Sequence, residues 1–95
     1  MDITSNPWVV TDADVVAGPV VIWQYKAIIL NIELEQYAGA NSLAVVNQFN
    51  GKSFAALHGA ADLQTVRTGF IGHADGIVIP QGGITAPGTL RIYHK

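Results

Sequence analysis

Ala27-Ile28-Ile29-Leu30-Asn31-Ile32-Glu33-Leu34 carries the clearest periodicity in the chain. Ile28, Leu30, Ile32 and Leu34 recur at spacing two on one face, while Ile29, Asn31, Glu33 and Glu35 take the other and turn polar toward the end. Successive side chains of a strand point to opposite faces of a sheet, so this alternation is the pattern of a half-buried β-strand. Helical spacing would scatter the same apolar residues around an axis, and the flanking runs are rich in Val and Ile, which favour strands. The stretch is expected to be the central strand of a small sheet.

Upstream, Val20-Val21-Ile22-Trp23-Gln24-Tyr25 predicts a second strand, apolar on both faces until Gln24 and therefore covered on both sides. It runs straight into the central strand. The chain either bends near Tyr25-Lys26 or continues as one long strand across a bulge. Asn6-Pro7-Trp8-Val9-Val10-Thr11 predicts an extended first strand opened by Pro7, which has no N–H for a ladder and suits an edge. Asp12-Ala13-Asp14 then turns the chain, Val15-Val16 resumes a short strand, and Ala17-Gly18-Pro19 breaks it.

Downstream, Tyr37 to Ser42 is a loop, followed by two runs, Leu43 to Phe49 and Lys52 to Leu57, around Asn50-Gly51. Asn-Gly is the favoured pair for a two-residue hairpin turn, because both positions need positive φ. That register sets Val45 across from Ala56 and Asn47 across from Phe54. His58 to Gln64 forms a loop, Thr65 to Ile71 a strand, and Gly72-His73-Ala74-Asp75-Gly76 its exit turn. Ile77-Val78-Ile79 is a buried strand stopped by Pro80, and Gln81 to Gly88 is a connector. Thr89 to His94 alternates with Leu90 and Ile92 inward, so the last strand is docked in the sheet. The pattern predicts an all-β fold, a small antiparallel β-sandwich or barrel of about seven or eight short strands. Residues 1–95 form one β domain, with residues 1–10 an extended N-terminal arm.

A chain of 95 residues buries roughly 65% of the surface its unfolded form exposes, so its core is thin and calls for a second source of stability. The chain has no Cys, which removes disulfides. With 49% hydrophobic and only 13% charged residues, oligomerisation is the expected source. A net charge of -2, with Lys26, Lys52, Arg67, Arg91 and Lys95 spread through the chain, argues against a nucleic-acid binder. The N-terminal residues have no basic flank or apolar core of a signal peptide. No apolar run approaches the roughly 20 residues that cross a bilayer, so no membrane partner is expected.

No constellation identifies a reaction, and the chain is expected not to be an enzyme and to need no cofactor or metal. His73 with Asp75, joined by His58 or His94, is the best metal candidate, but no spacing motif supplies a third and fourth ligand, and a solvated turn explains the pair. Asp12 with Asp14 and Glu33 with Glu35 resemble paired catalytic carboxylates, yet residues two apart on a strand point together into water. Ser5, Ser42 and Ser53 sit in no nucleophile elbow. Gly69-Phe70-Ile71-Gly72 and Gly82-Gly83 precede no helical pattern, so they are turn glycines and not phosphate cradles. Trp8, Trp23, Tyr25 and Tyr37 either fill the core or an interface, or form a stacking platform for a sugar.

Several pieces in order carry a resemblance: Asn6-Pro7-Trp8-Val9-Val10, an apolar strand leading into the Ile/Leu alternation, the Asn50-Gly51-Lys52 hairpin, Gly76-Ile77-Val78-Ile79-Pro80, and Gly88-Thr89-Leu90-Arg91-Ile92-Tyr93. Together they resemble small all-β proteins encoded among the virion structural genes of tailed bacteriophages. The resemblance implies a virion structural protein, a capsid decoration or cement protein made in the host cytoplasm and carried on the capsid surface. It implies the major capsid protein as partner, binding between capsomers, and a homotrimer as the working form. On physical grounds the interface residues are expected in the arm, Asn6, Pro7, Trp8, Val9 and Val10, with Trp23 and Tyr25; an extended arm suits strand addition to a neighbour. The alternative is a carbohydrate- or receptor-binding module of a phage tail or fibre.

Overall fold

The computed structural model describes residues 5–36, 43–58, 65–69, 71–85 and 88–95. The chain is all-β, as the alternation predicts. Seven strands, β1 (Trp8–Thr11), β2 (Val20–Gln36), β3 (Leu43–Asn47), β4 (Ser53–His58), β5 (Thr65–Arg67), β6 (Gly72–Ile79) and β7 (Gly88–His94), form one antiparallel sheet. Their order is β1-β7-β2-β6-β3-β4, with β5 also beside β2. Side chains from both ends of this order, Trp8 and Val10 at one end and Ala44, Val46 and Leu57 at the other, enter one core cluster. The sheet therefore curls over itself. No ladder joins β4 to β1 among the described residues, so it stays open.

The organising strand is β2, and it is one element, not two. From Val21↔Val78 to Trp23↔Ile77, β2 advances two residues against one in β6, and from there to Lys26↔Asp75 three against two. Each step is a bulge, which absorbs an extra residue and bends the strand where the sequence suggested a bend or a bulge. On the other edge a third shift falls between Ile29↔His94 and Asn31↔Tyr93. It reverses the phase of the alternation. Ile32 and Leu34 face inward as expected, but upstream of the shift Ile29 is the buried residue and Leu30 is 41% exposed.

β5 and β6 follow one another along one edge of β2, and β7 takes the other edge from Ile29 onward. Residues 72–76, expected to be an exit turn, belong to β6 instead. Gly72, Ala74 and Gly76 face inward and His73 and Asp75 outward, so the glycines are small inward positions of a strand. Gly76 has φ of 89°, and a Cβ there would lie 2.5 Å from Phe49 Cβ and 3.0 Å from the Trp23 carbonyl oxygen. Only glycine fits.

Phe49 comes that close because the hairpin tip is tied to β6. The Phe49 N–H donates to the Asp75 carbonyl at 3.0 Å, and the Asp75 N–H donates to Gln48 Oε1 at 3.0 Å. The hairpin turn differs from the expected two-residue form. Gly51 has positive φ but Asn50 does not, and the Gln48 N–H donates to the Lys52 carbonyl, so the loop is Phe49-Asn50-Gly51. A three-residue loop of this kind ends in a left-handed glycine. Val45 still pairs with Ala56, but the register then shifts and Asn47 pairs with Ser53 and not Phe54.

Asp12–Val15 is a 3-10 turn and not the beginning of another strand. Asp14 Oδ2 accepts the Thr11 N–H at 2.8 Å and the Thr11 hydroxyl at 3.2 Å, which closes the turn. Val15 is fully buried and Val16 is 70% exposed. Beyond β6, a tight turn leads to Ile84, which bridges Ala44; Val45 N–H donates to the Gly83 carbonyl and Thr85 N–H to the Leu43 carbonyl, both at 2.8 Å. Leu90 and Ile92 of β7 are fully buried, as their alternation predicts.

Candidate functional site

Three of the expected interface side chains meet at the point where β7 stops beside β2. β1 holds Trp8 inward, and its indole stacks on the His94 imidazole with centroids 3.7 Å apart. Trp23 lies 6.0 Å from Trp8 at 27°, and Tyr25 meets Trp23 edge to face at 5.6 Å. Asn6 fastens the corner. Its Nδ2 donates to the His94 carbonyl and its Oδ1 accepts the His94 N–H at 3.1 Å, so the side-chain amide extends the β1–β7 ladder by one rung. His94 Nε2 donates to the Ser5 carbonyl at 2.8 Å.

The expected arm is therefore not a free one over its described part. Residues 8–11 pair with β7, Trp8 and Val10 belong to the chain's own core, and only Val9 turns outward. Within the subunit the Trp8 and Val10 side chains are therefore packed in the core, and of the arm's described strand residues only Val9 offers its side chain to a neighbour. Asn6 is exposed and Pro7 half-buried. Trp23 is half-buried, and Tyr25 is 67% exposed. Tyr37 and Ser42 lie outside the described residues.

Below this cluster β2 has an open edge. β6 covers one side of Val20 to Ile29, but the opposite side has no ladder partner among the described residues until β7 begins at Ile29. The open part carries exposed Val21 and Tyr25. At its inner end two carbonyls are already satisfied: Lys26 by the Trp23 indole N–H at 3.4 Å and Ile28 by the Lys95 N–H at 3.0 Å. There the strand, the aromatic cluster and the end of β7 enclose a cleft of about 200 Å³ lined by Trp8, Trp23, Lys26, Ala27, His94 and Lys95. The sequence reading missed Lys26 and Lys95 as site residues and weighed His94 only as a metal ligand. No local pattern marks them, since the bulged course of β2 and the end of β7 bring them together.

The other constellations do not converge. His73 and Asp75 point outward from β6, His58 ends β4, and His94 lies under Trp8; no group of three or more potential metal ligands occurs among the described residues. Glu33 and Glu35 are not a solvated pair. Arg67 Nε donates to Glu33 at 2.9 Å, while Arg91 Nη1 lies 3.5 Å from Glu33 and 3.0 Å from Glu35. β5 and β7 each bring an arginine to the carboxylates of the strand between them. Asp12 Oδ1 accepts the Gly88 N–H at 3.1 Å, a structural role.

Comparison with known protein families, with curated proteins and with solved structures gives no match for this chain.

Proposed function

We propose that this chain is a structural virion protein, a decoration or cement protein that binds the outside of a phage head between capsomers and works as a homotrimer. The resemblance of its sequence to small phage virion proteins supplies the setting. The observation that carries the proposal physically is the edge of β2 from Val20 to Tyr25, which has no ladder partner among the described residues, with Val21 and Tyr25 exposed beside it. An unpaired edge carries backbone donors and acceptors that a neighbouring strand can satisfy, and natural proteins seldom leave one uncovered. Covering it in an assembly also supplies the stability a thin core lacks. Repeated contacts on a lattice turn a modest affinity per subunit into firm attachment, because each engaged site raises the effective concentration of the next.

Trp8, Trp23 and Tyr25 together form no single flat platform, which favours an interface at the open edge over stacking along a sugar chain. Trp8 has one face covered by His94, and Trp23 and Tyr25 stand 80° apart. The test is the mass of the purified chain by light scattering over a range of concentrations, together with sedimentation on heads of the encoding phage that lack this protein. A concentration-independent trimer that sediments with heads is expected. Tyr25→Lys should weaken both while the β signal in circular dichroism stays unchanged. A monomer that leaves heads bare would overturn the proposal.

A further inference from the structure

The cleft at the end of β7 differs in chemistry from the open edge beside it. Arg67 and Arg91 are paired with Glu33 and Glu35. Lys26 and Lys95 both line the cleft, both are exposed, and neither has a carboxylate within ion-pair distance among the described residues. Among the described residues no Asp or Glu lines it. Lys26, Lys95 and Ala27 also border the adjoining depression with His73 and Ile28, so the positive character continues around the corner. Asp75 is the cross-strand neighbour of Lys26 on β6 but lies outside ion-pair distance, so two cations stand beside an aromatic wall with one carboxylate nearby.

We propose that this cleft binds a uronic-acid residue of an acidic polysaccharide, with the apolar face of the sugar ring against Trp23 and its carboxylate between the Lys26 and Lys95 ammonium groups. A pyranose has one face of C–H groups that packs on an indole, and a carboxylate forms charge-assisted hydrogen bonds with ammonium donors. An extended acidic peptide fits less well here. A strand needs free backbone acceptors, and at this end of β2 the Lys26 and Ile28 carbonyls are already bonded to Trp23 and Lys95. This site goes beyond the decoration role, and because Trp23 borders both, it requires that a partner on Val20 to Tyr25 leave the cleft at Lys26, Ala27 and Lys95 open.

The test is titration of the purified chain with a galacturonic-acid trimer and with an alginate trimer, followed by tryptophan fluorescence and by the Trp23 indole N–H signal in NMR. The neutral galactose trimer, a tetraglutamate peptide and inorganic sulfate serve as comparisons. An acidic trimer is expected to shift the Trp23 signal, with the neutral trimer bound about tenfold more weakly, and Lys26→Gln and Lys95→Gln are each expected to weaken binding about tenfold. Lys26→Arg should keep most of the affinity, and unchanged melting temperatures would show that the variants fold. No response to either acidic trimer up to about 10 mM overturns the proposal. So does equal binding of the neutral sugar, of the glutamate peptide or of sulfate.

Discussion

Trp8 lies flat against the His94 imidazole, their planes 12° from parallel and their centroids 3.7 Å apart. β1 is thereby clamped to β7 by side chains as well as by its ladder. Trp8→Ala removes a nearly fully buried indole and is expected to lower stability by about 3–5 kcal/mol, read from urea unfolding. Removal of residues 1–10 should abolish cooperative unfolding. A truncated chain that melts like the full one would mean that β1 is a dispensable arm.

Gly76 sits where β6 passes under the hairpin tip, and its positive φ and the 2.5 Å approach to Phe49 Cβ act together. Gly76→Ala is expected to cost about 2–4 kcal/mol, combining backbone strain with overpacking. Gly82→Ala shares the left-handed backbone, with φ of 68°, but has nothing within 4 Å of the added Cβ, so about 1–2 kcal/mol is expected. Equal losses would show that the Phe49 contact carries no weight.

The phase reversal in β2 separates two adjacent aliphatic residues. Ile29 is fully buried and Leu30 is 41% exposed. Ile29→Ala should destabilise by about 2–5 kcal/mol, and Leu30→Ala by less than about 1.5 kcal/mol. The reverse order in denaturant midpoints would mean that the alternation runs unbroken through the strand.

Glu33 holds Arg67 and approaches Arg91 with its own side chain only 14% exposed, whereas Glu35, more open to water, meets Arg91 alone. Glu33→Gln is expected to lower stability by about 1–2 kcal/mol and Glu35→Gln by less than about 1 kcal/mol. Added salt should narrow the gap by screening the exposed pair more than the covered one. A double-mutant cycle of Glu33 with Arg67 that shows no coupling would remove the network from the stabilising contacts.

Much of the fold is legible residue by residue. The alternation of Leu90 and Ile92, the hairpin around Gly51 and the strand character of Val20 to Leu34 follow from periodicity and turn chemistry, which act over a few residues. The errors have a common form. Gly72 to Gly76 has the composition of a turn, yet a strand accepts glycines where another segment crowds its inner face. Val15, expected to resume a strand, instead ends the turn begun at Asp12, which closes because the Asp14 carboxylate reaches back to Thr11.

An all-β chain, most of its strands and most of its inward residues were legible before the fold, because side-chain alternation and turn preference are local properties. Which edge of β2 lacks a partner among the described residues, which arginines meet Glu33 and Glu35, and how Trp23, Lys26, His94 and Lys95 share a cleft were settled only by the fold. Those outcomes depend on strand order and on bulges between segments far apart in the chain. A single-residue shift in register turns a side chain from one face to the other.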